Sequence, residues 1–193
     1  MKKLIQCSFL LVLATFFVAG SALAQERGNS ETRPSPNATV SQTVGTTQIT
    51  VTYGRPGIKS RSYFTDGAVL APAGSVWRTG ANESTTITFS DDVMFGGSKV
   101  GAGTYTLFTI PGDDWTVILN NGLTRDDGTP AWGAYGYDES QDEVRVEAAV
   151  VDTDAPMEEW FMIYFDTLSD TKAHLNLHWG NTSIAVPITT GDM

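Results

Sequence analysis

Apolar and polar side chains alternate one by one in short runs along most of this chain, and that period of two constrains the fold more than any other feature. Around Ile49, Val51 and Tyr53 the neighbouring positions are Gln48, Thr50 and Thr52; in STTITFS, Thr85, Ile87 and Phe89 alternate with Ser84, Thr86 and Thr88. An extended chain sends successive side chains to opposite faces, so each run makes a strand with one side for the core. The same pattern marks strands near 93–95, 104–110, 115–120, 144–150, 160–166, 173–179 and 182–188, separated by turn residues such as Gly96-Gly97, Pro111-Gly112-Asp113, Asn121-Gly122 and Gly180-Asn181. After residue 24 no window of a dozen residues shows a helical stripe, so parallel strands would lack crossover helices. The expected fold is all-β: a single-domain antiparallel β-sandwich or jelly-roll of about nine strands, over residues 37–189. In WFMIYFD both alternating sets are apolar, which predicts a central strand covered on both sides.

The chain's start has a different texture. Lys2 and Lys3 precede an apolar run that ends near Gly20, and Ala22-Leu23-Ala24 supplies a small-x-small cleavage pattern. Residues 1–24 therefore read as a signal peptide cut between Ala24 and Gln25, giving a periplasmic or secreted protein. The alternative, a retained anchor, needs an apolar span of about 20 residues, and this core is shorter. No later segment approaches that length, so the mature form is expected to have no membrane span. Residues 25–36 (QERGNSETRPSP) lack any large apolar side chain and read as a flexible polar linker. The only cysteine, Cys7, falls in the signal, so the mature protein has no disulfide and must rely on packing.

Charge limits the partners. The 193-residue chain carries 12 basic and 22 acidic residues, and losing the two signal lysines takes the net charge from −10 to −12. Nucleic acid and anionic membrane surfaces should be repelled on average.

Motifs for catalysis, metals and cofactors are missing. His174 and His178 are four apart, but they alternate with Ala173, Leu175, Leu177 and Trp179 as a strand would. That places them about 13 Å apart, too far to share a zinc ion whose ligand bonds are about 2 Å; two histidines on a solvated face are expected. Asp126-Asp127-Gly128 and the acidic run 138–143 are oxygen-rich loops without the EF-hand pattern, so calcium is a weak reading beside simple solvation. There is no G-x-S-x-G, no H-E-x-x-H and no mature cysteine, and no catalytic residue, metal or cofactor is assigned.

One segment departs from the acidic background. Between Tyr53 and Thr86 lie Arg55, Lys59, Arg61 and Arg78, four of the ten mature basic residues, against only Asp66 and Glu83; from Asp91 onward there are 18 acids and four bases. A local positive cluster in a negative protein is a candidate site for an anionic or polyhydroxylated ligand. Trp77, Arg78, Asn82 and Glu83 bring an aromatic plate, a guanidinium fork, an amide and a carboxylate into one short stretch. The structural alternative has Glu83 pairing with Arg78 to pin a loop and Trp77 filling the core. A second aromatic loop carries Trp132, Tyr135 and Tyr137 between glycines, and could wall a pocket or simply turn.

The strings SQTVGTTQITVTYGRPGIKSR, SVWRTGANESTTITFSDDV, GAGTYTLFTIPGDDWTVILN and WGAYGYDESQD, in that order, resemble the exported bacterial domain-of-unknown-function family 2911 over about residues 36–188. The resemblance implies a β-domain of the periplasm or the cell exterior and implies no activity. Its polar signature falls on Arg55, Pro56, Lys59 and Arg61, then Trp77, Arg78, Gly80, Asn82 and Glu83, then Trp132, Tyr135 and Asp138. Ser60 stands where the family pattern has glycine, and Ser75 where lysine is common.

Three functions compete. The first is a non-catalytic binding module for a polar or anionic ligand, a glycan or carboxylate, through Arg55, Lys59, Arg61, Trp77, Arg78, Asn82, Glu83, Trp132 and Tyr135. The second is an envelope protein-interaction domain, and the third a hydrolase using Glu83 beside Arg78. A fold alone does not choose among them.

Overall fold

The structure, a computed structural model, describes residues 31–152 and 155–191. The expected signal peptide and the start of the linker lie outside the described residues. Eleven strands follow in chain order: β1 (Asn37–Val44), β2 (Thr47–Gly54), β3 (Thr86–Phe89), β4 (Val93–Phe95), β5 (Ser98–Val100), β6 (Gly103–Ile110), β7 (Trp115–Asn120), β8 (Asp142–Asp152), β9 (Glu158–Ser169), β10 (Lys172–Gly180) and β11 (Thr182–Thr189). A single 3-10 turn, Glu139–Gln141, precedes β8. Among the described residues no helix is long and apolar enough to cross a membrane.

All strand pairs are antiparallel and form two sheets. The first runs β1-β2-β3-β6-β7-β8. The second runs β8-β11-β10-β9, with β4 on the far end of β11 and β5 on β4. Strand β8 belongs to both: Val144 to Ala148 pair with β7, while Ala149 and Val150 pair with β11. A strand that changes sheets turns the corner of a sandwich. Counting β8 twice gives six strands in each sheet.

The period of two holds where the core is formed. Ile49, Val51, Ile87, Phe89 and Leu107 face inward from the first sheet, and Ile163, Leu175, Leu177, Ile184 and Val186 meet them from the second. Burying each such side chain contributes about 1.5–3 kcal/mol. At one end the core is aromatic. Trp77 and Trp179 stack with centroids 5.5 Å apart and planes 8° from parallel, and Phe64 packs edge-on against both of them and Trp115.

Three expectations change. The strand count rises from about nine to eleven, because β1 has mostly half-buried side chains and β5 has three residues, both too weak to register as runs. Strand β9, which carries WFMIYFD, is an edge strand instead of a central one. Its apolar pattern has another cause. Phe161 and Ile163 enter the core, while the open edge is capped by loop backbone: Phe161 N donates to Pro56 O (2.9 Å) and Ile58 N to Glu159 O (3.0 Å). Third, the two histidines do not share a solvated face. Both lie on β10, but His178 is buried, its Nε2 3.0 Å from Pro156 O, because the stretch before β9 folds over it.

Candidate functional site

The link from β2 to β3 is far longer than a hairpin needs. Residues 55–85 contain no strand, and loops of more than about 12–15 residues usually carry function. All six non-glycine residues with positive φ among those described fall here: Lys59, Ser60, Phe64, Ala71, Thr79 and Asn82, between 45° and 65°. Left-handed backbone at such residues costs about 1–3 kcal/mol each and persists only where tertiary contacts hold it. Ser60, at φ 59°, holds a conformation that glycine takes without strain.

The basic residues of this loop do not converge. Arg55 donates from Nε to Phe161 O (2.9 Å) and from Nη2 to Trp160 O (3.4 Å), riveting the loop to β9. Arg61 folds back on its own turn, with Nε on Ile58 O (3.1 Å) and Nη2 on Gly57 O (2.7 Å). Lys59 sends its ammonium over the Trp160 ring, 5.4 Å from the centroid, and its amide donates to Glu159 Oε1 at 2.8 Å. Arg55 and Lys59 thus form a clasp along the edge of β9, and Arg61 braces the turn between Gly57 and itself.

Asn82 and Glu83 serve a different contact. Asn82 Nδ2 donates to Ser35 O (3.1 Å), and the amide of Arg55 donates to Pro36 O (2.8 Å). Arg33 Nη1 donates to both oxygens of Glu83, at 2.9 and 2.7 Å. The residues just ahead of β1 are thus laid against the domain. Trp132 bridges to Glu83 through the backbone and leaves its ring partly exposed.

Arg78 stands apart. Its Nε donates to Gly80 O (3.2 Å), closing a tight loop through Thr79 (φ 52°) and Gly80 (φ 152°). Among the described residues it makes no ion pair, and neither Nη has an acceptor. The guanidinium lies in a cavity of about 340 Å³ whose walls include Leu70, Val76, Trp77, Tyr135 and Trp179. Burial lowers the guanidinium pKa below its ordinary value, while the Tyr135 phenol acts in the opposite sense. Gly133 (φ 65°) makes room for it: a Cβ there would sit 2.9 Å from Arg78 Nη1. Of the residues singled out in the sequence, Pro56, Trp77, Arg78, Gly80 and Tyr135 line this cavity.

Tyr135 is also a wall of a second, more polar cavity of about 580 Å³. Its polar groups are largely committed to one another. Asn120 Nδ2 donates to Asp138 O (2.9 Å) and Asp142 Oδ1 (2.7 Å), and Asp138 Oδ1 accepts from the Ser140 amide (2.9 Å) and hydroxyl (2.7 Å). Those Ser140 bonds hold the Asp138 carboxyl below its ordinary pKa. Asp127 is likewise occupied by Thr129. Among the described residues no three His, Cys, Asp or Glu side chains gather as a metal site.

Sequence reasoning missed Leu70, Val76 and Trp179 as cavity walls. They carry no chemical signature, and Trp179 is remote in sequence from Arg78.

Comparison with known proteins places the chain. It belongs to the family described as "Protein of unknown function (DUF2911)", whose model matches residues 35–188. No curated protein and no solved structure matches it.

Proposed function

We propose that this protein is an exported, non-catalytic binding module that holds the negatively charged group of a small ligand on Arg78. One observation carries the reading: a half-buried guanidinium that, among the described residues, has no acid beside it and no acceptor for either Nη, in a preformed cavity. Desolvating a cation without a counter-charge is costly, and a ligand carboxylate removes that cost through two parallel N–H···O bonds. The other cavity side chains are aromatic or aliphatic, which suits holding a ligand more than transforming it.

A charge-assisted pair of this kind contributes about 1.5–3 kcal/mol, so Arg78→Ala should weaken binding about 10–100-fold. The test is calorimetric titration of the purified protein with carboxylates, phosphate, neutral sugars and calcium, beside Arg78→Ala and Arg78→Lys. Carboxylate binding that is lost in Arg78→Ala and reduced in Arg78→Lys supports the reading, because lysine keeps the charge without the fork. Equal binding by wild type and Arg78→Ala overturns it.

A second reading, docking of an envelope protein, is favoured by the exposed side chains of Val151, Met157 and Leu168 around the second sheet. Envelope pull-downs that lose a partner with Met157→Glu or Leu168→Glu would support it. The hydrolase reading draws less support, since the Glu83 carboxylate is engaged by Arg33.

A further inference from the structure

We infer that the ligand of the Arg78 cavity is an amphiphilic monocarboxylate, with its charge at one end and an apolar body at the other. The inference rests on the reading of Arg78 as the anion site, but a separate set of observations carries it: the chemistry of the walls and of the mouth.

Apart from Arg78, the side chains that line the cavity are hydrocarbon or aromatic, from residues such as Leu70, Ala71, Val76, Trp77 and Trp179, and polar atoms share the lining surface with them. Side-chain donors are few. The Trp179 indole N–H is spent on Glu159 O (3.2 Å), which leaves the guanidinium, the Trp77 indole N–H, without an acceptor among the described residues, and the Tyr135 hydroxyl. Among the described residues no carboxylate or side-chain amide lines the cavity, and the Tyr135 hydroxyl is the one side-chain acceptor there. A sugar fits this poorly. Each of its hydroxyls needs partners, and a polar group buried without one loses the hydrogen bond it made to water. Among side chains, the wall offers one anion clamp beside aliphatic and aromatic surface.

The mouth points the same way. Val69 is 72% exposed and Tyr135 77% exposed, two of the most exposed large apolar side chains among the described residues, and both border this cavity. An apolar rim around an apolar cleft covers the body of a ligand whose charged head lies deeper. Tyr135 sits between Gly133 (φ 65°) and Gly136 (φ 86°), so it is carried on a short glycine-flanked turn beside Arg78.

Two sources offer this chemistry: a free aliphatic or aromatic acid, and a peptide ending in an apolar residue. The experiment is calorimetry of the purified protein with butyrate, hexanoate and octanoate, with 3-phenylpropionate, and with N-acetyl-alanyl-leucine. Hexanol supplies the body without the charge, and glucuronate the charge without the body. Affinity is expected to rise about fourfold per methylene along the acid series. Leu70→Gln should weaken hexanoate about tenfold and leave any glucuronate binding unchanged. Tighter binding of the acetylated dipeptide than of the free acids would identify the peptide source, and the reverse order the free acid. Flat affinity along the series, or glucuronate binding as well as hexanoate through Arg78, would overturn this inference and leave the anion site standing. Hexanol binding as well as hexanoate, or no carboxylate binding at all, would overturn the anion site itself.

Discussion

Both carboxylate oxygens of Glu83 accept from Nη1 of Arg33, at 2.9 and 2.7 Å, although 50 residues separate the two in sequence. Glu83 is only 8% exposed, and the pair ties the stretch before β1 to the end of the long β2–β3 loop. The hydrogen bond to Glu83 raises the Arg33 pKa above its ordinary value.

Removing one partner of such a pair takes a charge-assisted bond from the other, whereas removing both leaves no charge to be weakened. Arg33→Ala should therefore lower the melting temperature, and the double variant Arg33→Ala with Glu83→Gln should melt above Arg33→Ala alone. Additive losses in a thermal-melt cycle would show that the pair is uncoupled.

Arg55 and Arg78 should respond in opposite ways to the same substitution. Arg55→Met loses donors to the Phe161 and Trp160 carbonyls and should cost about 1–3 kcal/mol in urea denaturation. Arg78→Met removes an uncompensated, half-buried charge and should leave a protein at least as stable as wild type. A large destabilisation by Arg78→Met would make that arginine a structural rivet like Arg55.

Gly54 is needed for a close approach of backbone. A Cβ there would collide with the carbonyl of Ala81, in the turn that follows Arg78, and the amide of Ala81 donates to Gly54 O at 3.2 Å. Gly54→Ala should cost about 1–3 kcal/mol through overpacking. It should also weaken ligand binding without touching the cavity, read by melting and calorimetry on one preparation.

Alkaline pH should probe the turn before β8. The Tyr137 hydroxyl donates to Asp142 Oδ2 (2.7 Å) and accepts from Arg145 Nη2 (2.8 Å), and burial together with the Asp142 bond pushes its pKa up to about 12 from an ordinary 10.0. The unfolded chain releases that proton first, so it holds fewer protons than the folded chain across this window. Stability contributed by the neutral phenol is complete below pH 10 and falls as pH rises towards 12. Tyr53 and Tyr105 are also raised by burial, so the informative quantity is the difference from Tyr137→Phe, whose urea midpoint should decline less over that range. Identical declines would contradict the assignment.

Much of the sandwich is legible in the sequence because alternation is local. Ile49, Val51, Ile87 and Phe89 point inward as their spacing requires. The position of β9 was not legible: two apolar faces look the same whether the cover is a neighbouring strand or a loop such as 55–58. The site was legible only in part. Arg55, Lys59, Arg61 and Arg78 form one cluster along the chain, yet the first three grip the edge of β9 or their own turn, and Arg78 alone enters the cavity.

What the sequence determined by itself is the all-β class, most of the strands and the turns between them. Those depend on side-chain period and on glycine placement, which act over a few residues. Only the tertiary structure decided that Glu83 pairs with Arg33 and that Arg78 has no acid beside it among the described residues. It also decided that Leu70, Val76 and Trp179 wall its cavity. Ion pairing and cavity shape are set by which distant segments the closing core brings together, and residue type alone does not encode that distance.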